Sequence, residues 1–286
     1  MLTAYFDETG HAEDPKVHYT GVAGLVAPAD AWRIFEERWR DTLEKAGFRE
    51  PFHMKDFAHS KNQFECLKGR EPERKILYKR LMEVIREADP IPIGAIVSID
   101  DYRTLTPKQQ TALGGPQRYP YYLCFQICAQ GAALAAEGRP PKEKVAVVFA
   151  HNSEFSGRAK QLWNAVVSHT DLGRHLSSYS VSTPGVIVAL QAADIVSYEI
   201  FHEFDGRRKN PSRAMRWGMR EILKMGRTPL PRIRLLDRNE LLRVVKESGC
   251  PDQTGVQELD HRQADFAMEK MMKLVIERSG LYEGDI

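Results

Sequence analysis

Two stretches of this chain, Ile91-Pro-Ile-Gly-Ala-Ile-Val-Ser-Ile99 and Lys144-Val-Ala-Val-Val-Phe-Ala150, are apolar almost throughout and of strand length. A strand with one wet face alternates apolar and polar side chains, whereas a run apolar on both sides needs cover on both faces. The two runs therefore predict a sheet enclosed between helices. The segments around them supply the helices. Asp30 is placed to cap a helix carrying Trp32, Phe35, Trp39 and Leu43 at helical spacing up to Gly47. Pro72 opens a second, with Ile76, Leu77, Leu81, Val84 and Ile85 on one face. Tyr121 to Ala136 is apolar nearly all round and reads as a central helix packed on the sheet. Helical spacing returns at Gly157–His169 and Val186–His202. Leu2 to Phe6 and Lys16 to Ala27 read as a hairpin of strands, and Leu176–Ser182 alternates as another. Pro51–Phe57 reads as an extended piece, and Lys61–Arg70 and Thr106–Arg118 as loops. This order of elements describes an α/β protein.

At 286 residues and 42% hydrophobic, the chain is long enough for one large domain or a domain with an appended piece. A shift in composition after Asp205-Gly206 favours the second: a body over 1–205 and a basic, mainly helical extension over 206–286 packed on it, with a last helix between Asp260 and Glu277. No charged-then-apolar leader and no apolar run of the roughly 20 residues a membrane span needs is visible, so a soluble, cytoplasmic protein is expected. The four cysteines form no CxxC pair, which speaks against a disulfide framework or a structural zinc site; Cys124 and Cys128, one turn apart, read as core thiols. The net charge of +2 neither demands nor excludes nucleic acid.

A few polar residues resist explanation by this pattern. Asp7 and Glu8 end the first strand just before the turn at Gly10. Acids are depleted in strands and are costly when half-buried without a partner, so a metal or a cationic group is the expected neighbour; a turn carboxylate bonded to backbone near Gly10 is the plainer alternative. Asp194 is the single acid in a dozen otherwise apolar or neutral residues, sharing a helix face with Gln191 and Tyr198. That face is either a solvated stripe or a polar site closed against the sheet. His53 and Asp56 lie near one another in the extended piece, and His151-Asn152 ends the second apolar run. Asp100 and Asp101 read as an ordinary cap at a strand exit. Arg207, Arg208, Lys209, Arg213 and Arg216 open a basic stretch that carries Trp217, the composition of a phosphate-binding surface or of a solvated basic helix.

Tyr5-Phe-Asp-Glu-Thr-Gly10, the following Gly21-Val-Ala-Gly-Leu-Val-Ala-Pro28 and, near the other end, Leu190-Gln-Ala-Ala-Asp-Ile-Val-Ser-Tyr198 together resemble the family of domains of unknown function numbered 3800, over about residues 1–205. That family is regarded as ribonuclease H-like and is often proposed to be a metal-dependent nuclease. The resemblance implies a mixed sheet whose first strands are antiparallel, Asp7 and Asp194 as metal ligands with Glu8 close by, and a histidine at the place of His53. Where related sequences tend to end the strand at 145–150 with an acid, this chain has His151-Asn152.

A late helix laid across the first strand would bring Asp7 and Asp194 together, and Mg²⁺ or Mn²⁺ relieves the repulsion of carboxylates so confined. The expectation is a metal-dependent nuclease or phosphodiesterase: Asp7 and Asp194 as first ligands, Glu8 and Asn152 as supporting ones, His53 or His151 moving a proton or touching phosphate, and the basic residues after 206 meeting nucleic acid. The competing expectations are a metal-free glycosidase with paired carboxylates and a non-catalytic protein that binds nucleic acid or a partner through a degenerate site.

Overall fold

The computed structural model describes residues 1–12, 14–49, 51–115, 118–137, 143–151, 156–169, 171–226 and 233–247. The chain opens with strands β1 (Leu2–Thr9) and β2 (Tyr19–Pro28), then helices α1 (Ala29–Lys45), α2 (Met54–Ala58) and α3 (Glu71–Glu87). Strand β3 (Ile91–Ser98) leads to α4 (Ile99–Arg103), α5 (Pro107–Gly114) and α6 (Pro120–Glu137). Strand β4 (Val145–Ala150), α7 (Ser156–His169), β5 (Leu176–Ser182) and the long α8 (Ala189–Lys209) follow, and α9 (Trp217–Leu223), β6 (Ile233–Leu236) and α10 (Arg238–Glu247) complete the described chain. The expected last helix at 260–277 lies outside the described residues.

The six strands form one mixed sheet in the order β5-β4-β1-β2-β3-β6. β2 pairs antiparallel with both β1 and β3, while β4 pairs parallel with β1, β5 with β4 and β6 with β3. β1 is thus central. Alternation along it divides the molecule: Leu2, Ala4 and Phe6 belong to the core under α6, and Tyr5 packs into the core on the opposite side, under α1 and α8. The two apolar runs became β3, buried at every position, and β4, buried at all but one, which is what cover on both faces requires. On the α6 side Phe149 stacks between Phe6 and Phe125, at 5.2 and 4.3 Å between ring centroids. Cys124 and Cys128 lie in this core, where burial pushes the Cys124 thiol up to about 12. On the other side Trp32, Phe35, Trp39 and Leu43 are the buried stripe of α1, and Trp32 Nε1 donates to the Thr3 carbonyl at 2.9 Å, fixing α1 to β1. The turn out of β1 needs Gly10, which has φ 70° and whose added Cβ would stand 2.0 Å from the Tyr19 carbonyl oxygen.

Four expectations are corrected. Thr106–Arg118 is not loop throughout: Thr106 and Gln109 form a capping box and Pro107 starts α5. Pro51–Phe57 turns helical at Met54, and Lys61–Arg70 contains a 3-10 turn over Asn62–Leu67 that buries Phe64 and Leu67. The second strand starts at Tyr19, not at Lys16. Within the basic segment, beside its helices, Ile233–Leu236 adds an edge strand parallel to β3. α8 itself runs without a break through position 205. No helix among the described residues is long and apolar enough to cross a membrane.

Candidate functional site

α8 crosses the sheet obliquely. Leu190, near its start, packs with Val148 and Ala150 of β4, and Ile200 lies over Gly94 of β3. Between these points it passes the end of β1, with Ala192 and Ala193 fully buried, their small side chains permitting a close approach. The face carrying Gln191 and Asp194 is turned into the protein: these residues are 4% and 7% exposed, so a solvated stripe is not what this face became.

Gln191 is the keystone of the neighbouring chain. Its Oε1 accepts from Trp39 Nε1 at 2.8 Å and from the Phe52 amide at 3.0 Å, and its Nε2 donates to the Pro184 carbonyl at 2.9 Å. Phe52 is held besides by edge contacts with Trp39 and Phe64. The next residue, His53, is extended (φ −132°, ψ 119°), so the side chains alternate: Phe52 and Met54 go into the core and His53 comes out beside α8. There its Nδ1 meets Asp194 Oδ2 at 2.7 Å, and the Met54 amide donates to the same oxygen at 2.7 Å. His53 therefore reaches Asp194, while its sequence neighbour Asp56 accepts from Asn62 instead. With Oδ2 already accepting a backbone N–H, the ring nitrogen facing it carries the proton, and Nε2 points away from the pair. The hydrogen bond to Asp194 raises the His53 pKa above its ordinary value, against the opposing effect of burial.

Asp7 projects from β1 on the α8 side. Burial raises its carboxyl well above the ordinary carboxylate range, and the charges of Asp194 and then Glu8 add to the rise; the Glu8 amide, donating to Asp7 Oδ1 at 3.0 Å, opposes it. Among the described residues no lysine or arginine pairs with either aspartate. Asp7 Oδ2 and Asp194 Oδ1 accept no hydrogen bond there. Glu8, one residue on, alternates to the α6 side, where its charge acts on Tyr121. His151 is exposed at the end of β4, its amide donating to the Ser182 carbonyl at 2.7 Å. Asn152 lies outside the described residues. Asp100 and Asp101 sit in the first turn of α4, capped by Ser98, and Asp100 meets His18 at 2.6 Å, well away from this pair. Among the described residues no group of three or more histidines, cysteines or acids is gathered as a metal site.

The five basic residues expected to meet nucleic acid lie at the far end of α8 and just beyond it, each paired with an acid of that helix. Arg216 forms a two-pronged bond to Glu199, at 2.8 and 2.9 Å, and its amide donates to Glu203 at 2.9 Å. Arg207 and Arg213 also approach Glu203, and Arg208 and Lys209 share Asp205. Burial pushes the Glu203 carboxyl up, but the Arg216 amide and Arg207 outweigh it and hold it below its ordinary value. Tyr78 Oη donates to Glu199 at 3.0 Å. Gly218 closes this network from below, since a Cβ there would lie 2.3 Å from Tyr78 Oη. The sequence marked the cations and not their acceptors. A signal was present in Glu203 and Asp205, which precede Arg207, Arg208 and Lys209 at helical spacing on α8.

No protein family, curated protein or solved structure matches this chain.

Proposed function

We propose that this chain is a metal-dependent phosphodiesterase acting on nucleic acid, ribonuclease H-like in fold and akin to the family numbered 3800, with Asp7 and Asp194 as ligands for Mg²⁺ or Mn²⁺. One observation carries the reading. Two carboxyls, from the central strand and from the helix laid across it, lie close enough for the charge of one to raise the other, each with one oxygen left without a hydrogen bond and with no lysine or arginine paired to it among the described residues. Hard carboxylate oxygens so left unpartnered suit a hard divalent cation, and the donor set fits Mg²⁺ or Mn²⁺ better than a thiophilic metal. Further support comes from the mixed sheet with antiparallel first strands, the arrangement the resemblance implies.

Within this reading each residue has a task. Asp194 uses Oδ2 to hold His53 and the Met54 amide and keeps Oδ1 for the metal. Asp7 likewise keeps Oδ2 for the metal, while the Glu8 amide holds its other oxygen. His53 keeps its proton at Nδ1 and offers Nε2 to solvent, placed to accept or release a proton at the reacting phosphate. A bound divalent ion would supply activation of a water and stabilisation of the leaving oxygen. Arg208 and Lys209, two cations sharing one carboxylate, retain positive charge for phosphate contact.

The test is cleavage of labelled nucleic acid with Mn²⁺, comparing the wild type with Asp7→Asn and Asp194→Asn. Both variants should lose at least about a hundredfold in rate, the scale of removing a group that stabilises transition-state charge, while keeping the wild-type circular dichroism. Cleavage that survives excess chelator, or that survives Asp194→Asn, sinks the proposal. A non-catalytic, degenerate binder is favoured by one observation, the turning of Glu8 to the other face, which leaves two convergent carboxylates. Salt-steep binding without turnover under any metal selects it.

A further inference from the structure

Beyond the carboxylate pair, α8 presents Tyr198 one turn on, about 6 Å along the axis at 1.5 Å per residue. The ring lies 4.0 Å from that of His202, and the Arg216 guanidinium stands 5.9 Å above it. Arg216 leads directly into Trp217, and Trp217 is the wall shared by two adjoining cavities between α3 and α9. The first, about 370 Å³, is lined by Lys75, Tyr78, Lys79 and Arg216. The second, about 250 Å³, continues along α3 past Lys79, Glu83 and Arg86. Lys75, Lys79, Met82 and Arg86 recur at the spacing of one helix face, so the cations form a ridge roughly 16 Å long.

The charges facing this groove do not cancel. Glu199 is held by Arg216 and Tyr78, and Glu221 by Lys224. Lys75, Lys79 and Arg86 have no acidic partner among the described residues, and Glu83 is the one lining acid left against them. Trp217 has Tyr78 edge-on at 5.4 Å and still borders both cavities. An indole wall beside a row of free cations, reached past a second aromatic ring and an arginine, is the composition that holds single-stranded nucleic acid: bases stack on aromatic faces and cations follow the backbone. Duplex DNA offers no free base face to such a wall.

We propose that the α3–α9 groove is a subsite for a flanking nucleotide of single-stranded nucleic acid, its base on Trp217 and its phosphate at Lys75 and Lys79, with Tyr198 and Arg216 carrying the strand there from Asp7 and Asp194. This deepens the function proposed above and rests on it for the direction of the strand.

The test is fluorescence anisotropy of fluorescein-labelled octathymidylate and octauridylate with the full chain in Ca²⁺, over a range of salt. The wild type binds at least one oligomer. Lys75→Glu/Lys79→Glu, confined to exposed side chains, weakens it by about tenfold or more and reduces the salt slope by roughly 0.7, the share of one phosphate on a single strand. Trp217→Ala weakens binding by about tenfold, the scale of one lost stack, and Trp217→Phe recovers most of it. Failure of both oligomers to bind overturns the proposal, as does equal binding by the wild type and the double-lysine variant. Trp217-dependent binding without cleavage under any metal sinks the hydrolytic reading and leaves the subsite standing. Asp194-dependent cleavage, with binding indifferent to Trp217 and to the two lysines, sinks the subsite alone.

Discussion

Asp194 and Glu199 stand little more than one turn apart on α8 and are buried alike, at 7% and 1% exposure, yet their surroundings differ in kind. Glu199 meets a two-pronged arginine and a tyrosine hydroxyl, and Glu203 beyond it gathers two arginine side chains and the Arg216 amide. Asp194 meets one histidine, one backbone amide and the charge of another acid. Burying an acid is costly unless it is matched, and the first region is matched fully within the chain. The second holds a surplus of negative charge that the described residues do not neutralise. The comparison separates acids matched within the fold from acids that the described residues leave unmatched.

The sharpest way to break this contrast is Arg216→Met. It strands the Glu199 carboxylate and should lower unfolding free energy by about 3–5 kcal/mol in urea titration. Adding Glu199→Gln should recover most of the loss; a single variant as stable as wild type would show that this end of α8 is no more structural than the other. Next in size is the response to metal. With Mn²⁺ at about a hundred times its dissociation constant, wild type should gain about 2.7 kcal/mol, and Asp7→Asn should gain nothing. Without metal the same substitution should raise the melting temperature. The folded Asp7 carboxyl titrates above its ordinary 3.8, so stability falls as pH climbs from there through the folded value, and the asparagine removes that slope. A metal-free melting temperature that drops on Asp7→Asn would mean that the aspartate is a structural acid after all.

The two histidines give smaller effects of opposite sign. At the matched end, burial and then the Arg216 charge bring His202 from 6.5 down to about 4. The unfolded chain takes up its proton first, so this contribution to stability is lost as pH falls from 6.5 towards 4, and Arg216→Met should move the NMR titration of His202 upward. At the other end His53 titrates above 6.5, so its contribution is present below that value and lost as pH rises through the folded one. Its side chain is 59% exposed, and the effect on stability is the smallest of the set. Asp194→Asn should move the His53 titration downward; a midpoint that does not move would dissolve the pair.

Much of the fold was legible because it rests on patterns that a single element carries. Trp32, Phe35, Trp39 and Leu43 were readable as a stripe because helical spacing puts them on one side whatever they pack against. The apolar runs at β3 and β4 declared their double cover for the same reason. α5 was missed although its capping box and opening proline are plain in Thr106-Pro107-Lys108-Gln109, because prolines and glycines on either side carry the signature of a loop. β6 is only four residues long and exists as a strand through its pairing with β3, far away in sequence.

The same division runs through the site. Asp7 and Asp194 stood out by sequence because an acid among apolar neighbours is anomalous on its own, wherever the chain goes. That His53 serves Asp194 and not the nearby Asp56, that Glu8 turns away, and that five basic residues spend much of their charge on Glu199, Glu203 and Asp205 are facts of placement. Periodicity and polarity are properties of each segment and survive in the sequence. Which charge lies against which is set by how α8 crosses the sheet, and only the packed chain decides that.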